Sequence, residues 1–176
     1  MEPKLSWDEY YLTIAFVTAQ KSIDPSSKCG CVLVSEDNRI LSTGYNGPIK
    51  GSDDSKIPLE RPMKYCHMIH AEENALLAYN GSYQDIEDAT AYVSGRPCHR
   101  CLRMLLQKGI TKIVYSNANV TKCVDKEDFE AQEIMINART WRKKPDIIEK
   151  DGSGVLELLD KTKEYIELKS KQKKNY

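Results

Sequence analysis

The sequence predicts an α/β protein built in three layers, with helices on both faces of a central sheet. Three observations carry this reading. Ala89-Thr90-Ala91-Tyr92-Val93-Ser94 and Lys112-Ile113-Val114-Tyr115 are short apolar runs of strand length, and an earlier one spans Cys29 to Val34. Good helix formers precede both later strands, Asn74 to Ala78 before the first and Leu102 to Leu106 before the second. The resulting order β-α-β-α-β implies a parallel central section, because parallel strands need a crossover and a helix fills it.

The first element is a helix with a marked start. Ser6-Trp7-Asp8-Glu9 is a capping box, Leu5 and Tyr10 are placed for a hydrophobic staple, and Trp7, Tyr10, Tyr11, Ile14 and Phe16 to Thr18 form the expected buried stripe. A polar loop from Ser22 to Lys28 leads into the Cys29 to Val34 run. Glu36-Asp37-Asn38 then has turn chemistry, so Arg39 to Tyr45 reads as the returning strand of a hairpin. Cys29 and Cys31 share one strand face and are expected as small buried hydrophobes. Gly44 to Pro48 closes that strand in a loop. There Asn46 has two readings, a residue tolerant of unusual backbone or an amide that grips a sugar hydroxyl. The segment Ile49 to Ile69 is longer than a typical connection, and such loops are often functional. Arg61 and Lys64 within it, with Lys28, are candidates for a substrate phosphate, although loop charges are commonly only solvated.

Past Ser116 an Asn-rich stretch precedes a charged helix from about Glu127 to Trp141, and Pro145 to Ile148 reads as an edge strand. Asp151-Gly152-Ser153-Gly154 is a break. Val155, Leu158, Leu159, Thr162, Tyr165 and Ile166 then have helical spacing, and Lys169 to Lys174 is a basic tail. The chain therefore divides into a main domain, residues 1–150, and an appended amphipathic helix with its tail, residues 151–176.

Two helix starts carry the chemistry. His70-Ala71-Glu72 opens the helix that continues toward Gly81, and Pro97-Cys98-His99-Arg100-Cys101 opens the one that continues toward Gly109. Pro97 has the fixed φ of a helix start, which puts Cys98 and Cys101 in the first turn, on one face. His70 and Glu72 lie about 200° apart around a helix and diverge in mid-helix; at a helix start both lean toward the N-terminus and converge. One imidazole and two thiolates with an open fourth position make a catalytic zinc site, and Glu72 is left for proton transfer. Water activated by such an ion attacks an amidine-type ring carbon, and ammonia leaves. His-x-Glu followed by Pro-Cys-x-x-Cys is the pattern of zinc nucleobase deaminases. The rival is a closed Cys3His knot in which Cys66 takes the fourth position, making the chain a structural interaction module. That rival leaves Glu72 and Pro97 without a role.

Charge and composition bound the partners. The 176 residues are 40% hydrophobic and 30% charged, enough for a sizeable core, and the net charge is zero. Nucleic-acid binding normally requires a basic excess, so a nucleic-acid partner is not expected. With no apolar run suited to a signal sequence or a membrane span, the six cysteines are expected reduced, in the cytoplasm.

The chain resembles the deoxycytidylate deaminase family. The matching pieces are Ser22-Ile23-Asp24-Pro25, Cys29-Gly30-Cys31-Val32, Gly44-Tyr45-Asn46-Gly47, His70-Ala71-Glu72-Glu73-Asn74-Ala75, Pro97-Cys98-His99-Arg100-Cys101 and Gly109 to Tyr115, covering roughly Ser6 to Ser116. The zinc motifs belong to the wider cytidine deaminase-like superfamily. Gly-Tyr-Asn-Gly followed by a long insertion containing Asp53-Asp54 points to the nucleotide branch. The resemblance implies a mixed five-stranded sheet between helices and zinc on His70, Cys98 and Cys101. It also implies hydrolysis of dCMP to dUMP within pyrimidine deoxynucleotide metabolism, with Glu72 shuttling protons and Asn46 and Ala71 contacting substrate. It further implies a homo-oligomer, a hexamer in the family's pattern, activated by dCTP and inhibited by dTTP with Mg2+. Family members often carry Leu or Arg where Glu73 stands, and the residues from Arg139 onward are unmatched. The alternative substrates are dCTP, a modified deoxycytidylate, or a tRNA adenosine.

Overall fold

A computed structural model describes residues 4–119, 124–138 and 143–173, with side chains described as far as Leu168. Its elements run α1 (Trp7–Ala19), β1 (Gly30–Val34), β2 (Ile40–Tyr45), a 3-10 turn (Asp54–Lys56), α2 (Lys64–His67), α3 (Ala71–Ala78), α4 (Tyr83–Ile86), β3 (Thr90–Val93), α5 (His99–Gln107), β4 (Lys112–Ser116), α6 (Lys126–Asn137), β5 (Asp146–Lys150) and α7 (Ser153–Lys173). The strands form one mixed sheet in the order β2-β1-β3-β4-β5. β1 is antiparallel to β2 and β3, while β3, β4 and β5 run parallel, as the β-α-β-α-β reading requires.

Side-chain alternation along the inner strands sorts the helices into two layers. Cys31 and Leu33 of β1, Ala91 and Val93 of β3, and Ile113 and Tyr115 of β4 face Ala71, Ala75, Leu102, Leu105 and Leu106, so α3 and α5 lie on that side. Val32, Val34, Tyr92 and Val114 point the other way, against Tyr11, Leu12, Ala15 and Phe16 of α1 and Val155 of α7. β1 is buried along its whole length, which is why its sequence reads as an unbroken apolar run instead of an alternating one.

The start of α1 is capped as its sequence requires: Ser6 Oγ accepts the Glu9 N–H at 3.2 Å and Glu9 Oε2 accepts the Ser6 N–H at 2.8 Å. Its buried face differs from the expected stripe. Tyr11, Leu12, Ala15, Phe16 and Ala19 are buried, whereas Trp7 and Val17 are 53% and 54% exposed and Tyr10 is also exposed. The aromatic rings misdirect the reading because two alanines, not rings, make the closest approach to the sheet. A Cβ at Gly30 would overlap the Ala15 carbonyl, so α1 rests directly on the β1 backbone.

Other boundaries move for local reasons. α3 stops at Ala78 with Tyr79 extended, short of Gly81, and the one-turn helix α4 follows. α5 ends where expected: Gly109 has φ +89°, and the Gly109 and Ile110 N–H groups bond back to Leu106 and Leu105. α6 ends at Asn137, and Trp141 lies outside the described residues. β5 is the expected edge strand, extended to Lys150 and pairing Lys112 with Asp146 through Ser116 with Lys150. α7 docks through Val155 and Leu159, while Tyr165, Ile166 and Leu168 beyond them are exposed. Its helical backbone continues through the basic stretch to Lys173. No helix among the described residues is long and apolar enough to cross a membrane.

Gly44, near the end of the expected returning strand, lies inside β2. A Cβ there would overlap the Ala71 carbonyl and the Ala75 N–H, so the missing side chain lets α3 press against β2. Gly44→Ala is expected to push α3 off the sheet and destabilise the fold by about 1–3 kcal/mol in urea titration, the range for overpacking a filled interior. An unchanged midpoint would show that α3 does not need this approach.

Candidate active site

The starts of α3 and α5 meet beneath one end of the sheet. His70 is the N-cap of α3 (φ −72°, ψ 158°) and Cys98 the N-cap of α5 (φ −74°, ψ 165°), both with extended backbone. Cys101 follows in the first turn of α5. His70 Nδ1 lies 3.6 Å from Cys98 Sγ and 3.3 Å from Cys101 Sγ, and the three ligand atoms sit within 4.8 Å of one another. A tetrahedral zinc about 2.3 Å from sulfur and about 2.0 Å from nitrogen holds those atoms about 3.6 Å apart, so the trio fits such an ion. Cys66 is exposed, and among the described residues it is not part of this cluster, which argues against the closed knot. Residue 66 lies in α2, and the intervening Met68-Ile69 leads away from that helix into a bridge between Ile69 and Gly47.

Charge explains why this cluster calls for a cation. The facing Cys98 thiol, burial and the nearby Glu72 all push the Cys101 thiol far above the usual range. His70 is shifted upward, chiefly by its contact with Cys98. Two buried thiolates repel one another unless a metal compensates them, and the two helix N-termini add a smaller favourable field. Glu72, the second residue of α3, is 5% exposed, and burial raises its carboxyl above the ordinary carboxylate range against the pull of His70. A buried carboxyl with raised proton affinity beside such a cluster is suited to carrying protons.

A pocket open to solvent reaches these groups, lined by His70, Glu72 and Cys98. Asn46, Ala71, Arg61 and Lys64, residues named from sequence as substrate contacts, line it together with Glu72. Lys28 does not: it is exposed and its carbonyl accepts from Asn119 Nδ2 at 2.8 Å. Lys64, another candidate for a substrate phosphate, is not a solvated loop cation. It is buried on α2, with Nζ 2.7 Å from Asp24 Oδ2 and 2.7 Å from Ser26 Oγ, so its charge is already neutralised inside the protein. Asn46 is knitted into the same network. Its Oδ1 accepts the Cys29 N–H at 2.7 Å, and its Nδ2 donates to the Ser27 carbonyl at 2.8 Å and to Asp24 Oδ2 at 3.3 Å. One Oδ1 lone pair remains for a ligand. Arg61, exposed at the rim, stacks over the Tyr65 ring at 5.4 Å from its centroid.

Among the lining residues that the sequence reading did not place in the site are Asp24, Cys29 and Arg96. Asp24-Pro25-Ser26-Ser27 signals an Asx turn, and Asp24 Oδ1 does accept the Ser26 and Ser27 N–H groups. Its ion pair with Lys64, forty positions away, left no local mark. Arg96 stands directly before Pro97, and a basic residue abutting a metal-binding turn was the available signal. Cys29, expected as plain core, is half-buried on the cavity wall, and burial followed by Glu72 pushes its thiol up to about 12.

Burial pushes the Asp24 carboxyl up, but hydrogen bonds from Lys64 and Ser26 outweigh it and leave it below its ordinary 3.8. Its stabilising contribution is therefore complete above that value and disappears as pH falls through the lowered one. Lys64→Met strands this carboxylate and is expected to cost about 3–5 kcal/mol at neutral pH, read by urea denaturation. That penalty shrinks in acid as Asp24 is protonated; a loss independent of pH would contradict the ion-pair account.

Residues 5–117 match the family model described as cytidine and deoxycytidylate deaminase zinc-binding region. The chain is 33% identical over 147 residues to the deoxycytidylate deaminase of Homo sapiens, covering 79% of this chain and 80% of that protein. It is 38% identical over 125 residues to the deoxycytidylate deaminase of Mycobacterium phage D29, covering 62% of this chain and 93% of the phage protein. In architecture it is similar to the dCMP deaminase of cyanophage S-TIM5 in complex with dCMP and dUMP, with a TM-score of 0.66 and 22% identity over 85% of this chain and 100% of that one.

Proposed function

The chain belongs to the family of cytidine and deoxycytidylate deaminases, and from that premise we propose that it hydrolyses dCMP to dUMP with release of ammonia, using one zinc ion. The observation that carries this is the His70, Cys98 and Cys101 cluster with buried Glu72 beside it, opening into a pocket that His70, Glu72 and Cys98 help to line. Zinc held by those three residues supplies Lewis acidity that makes a water molecule a nucleophile near neutral pH.

The chain's own groups do the rest. Glu72 takes the proton of the attacking water, delivers it to N3 of the cytosine ring, and later protonates the amine that leaves C4. Its buried position excludes bulk water, and its raised proton affinity suits a group that must both accept and return a proton. The spare lone pair of Asn46 Oδ1 accepts a deoxyribose hydroxyl, and Ala71, the first residue of α3, borders the base. Arg61 at the rim is the cation for the 5′-phosphate, a role better suited to it than to Lys64, whose ammonium orders Asp24 and Ser26. In this reading residues 1–150 form the catalytic unit, and 151–176 append a helix and basic tail. The family relationship supports a cytosolic homo-oligomer of six chains, regulated by dCTP and dTTP with Mg2+.

Ammonia release from the zinc-loaded protein across dCMP, dCTP, deoxycytidine, CMP and an adenosine-containing tRNA stem-loop tests the assignment. Turnover of dCMP above all others is expected; turnover of dCTP alone, or of the stem-loop alone, would overturn it. Glu72→Ala is expected to keep its fold and zinc while kcat falls by about 10²–10⁴, the usual contribution of a general acid-base group. Near-normal turnover in that variant would remove Glu72 from the mechanism.

A further inference from the structure

Helix α6 holds the two peptide groups on either side of Cys98. The Pro97 carbonyl accepts from Gln132 Nε2 at 3.0 Å, and the His99 N–H donates to Asp128 Oδ1 at 2.8 Å. Those two peptide planes set the backbone dihedrals of Cys98, and so the direction in which its Cβ and sulfur leave the chain. Asp128 Oδ1 also bonds His99 Nδ1 at 2.6 Å, and Asp128 Oδ2 accepts from Gln132 Nε2 at 2.5 Å. Gln132 Oε1 accepts from Arg96 Nη2 at 3.2 Å. The Arg96 guanidinium packs over Phe129 at 4.1 Å and donates to Tyr115 Oη at 2.9 Å. Residues 96, 97 and 99 are thus each tied by polar contacts to α6 while Cys98, between them, is left to point at His70.

Burial makes the arrangement more than surface decoration. Asp128 and Gln132 are 4% and 2% exposed, one helical turn apart on a single face of α6. Taking a carboxylate and an amide out of water is unfavourable unless each polar atom finds a partner, and here each side-chain oxygen and the amide nitrogen does. Two apolar residues would fill the same space without that requirement, but they would leave the Pro97 carbonyl and the His99 N–H unaligned.

We propose that Asp128 and Gln132 are positioning residues that fix the Cys98 thiolate for the metal. This rests on zinc binding by His70, Cys98 and Cys101. They touch neither the metal nor the substrate and act through the backbone around Cys98. Hydrogen-bond partners of this outer kind typically contribute 10–100-fold to metal affinity or activity.

The test uses full-length protein loaded with zinc or cobalt. Gln132→Met keeps the side-chain volume and removes the bond to Pro97. Asp128→Asn keeps an acceptor for His99 but turns a second donor against Gln132 Nε2. Each is expected to release zinc to a chromogenic chelator about 10–100-fold faster than the parent, to shift the cobalt-thiolate absorption bands, and to lower kcat with KM for dCMP unchanged. Leu102→Val, which loosens α5 without touching these bonds, is expected to lower stability and leave the cobalt bands in place. Parental release rates and bands in either folded variant would overturn the proposal, and if Gln132→Met fails to fold, Asp128→Asn alone decides. A parent protein whose bound cobalt shows no thiolate bands would instead overturn the metal assignment, a different failure from the first.

Discussion

Two helix starts have to meet at one point, and most of the structure serves that meeting. His70 and Cys98 are both N-caps with extended backbone, so their side chains project past the helix ends into the space the two ends share. The ends are brought together by the sheet: β2 receives α3 at Gly44, where no side chain intervenes, and β3 delivers Pro97 and Cys98 beside it. Concentrating two thiols, an imidazole and a carboxyl in a buried pocket is electrostatically unfavourable for the protein alone. The upward shifts of Cys101 and Glu72 express that strain, which a divalent cation relieves.

The same crowding raises the proton affinity of Glu72. A carboxyl in water stays ionised at neutral pH, whereas one that is 5% exposed beside thiols holds its proton more readily. Around it, the wall of the cavity is ordered by a network that has little to do with the metal. Asp24 gathers Lys64, Asn46, Ser26 and Ser27, tying the loop before β1 to the loop after β2 and to α2. The long insertion between β2 and α3 is therefore anchored at its inner end by an ion pair, leaving its outer residues, Arg61 among them, at the rim.

How much of this was legible depended on distance along the chain. Each half of the metal site could be read because its geometry is local. His70 with Glu72, and Cys98 with Cys101, lie two or three apart at a helix start and share a direction fixed by helix geometry, while the type of ligand in each half pointed to a shared ion. The sheet was legible through short apolar runs of strand length, and the α1 cap through its four-residue box. What failed to show was non-local. Lys64 looked like a solvated loop cation because its partner Asp24 lies forty positions earlier. The burial face of α1 was misjudged since aromatic bulk suggested Trp7 and Tyr10, while the decisive fit is between Ala15 and Gly30. Asp128 and Gln132 fall in a stretch that reads only as a charged helix; the packing of α6 behind the Pro97 turn makes them interior.

The account stands on a metal site that keeps one position open next to Glu72. X-ray absorption at the zinc edge of the purified protein tests this directly. It predicts two sulfur ligands at about 2.3 Å and two nitrogen or oxygen ligands at about 2.0 Å, one of them exchangeable with solvent. Three sulfurs and one nitrogen would mean a closed structural knot, and the catalytic account would be contradicted.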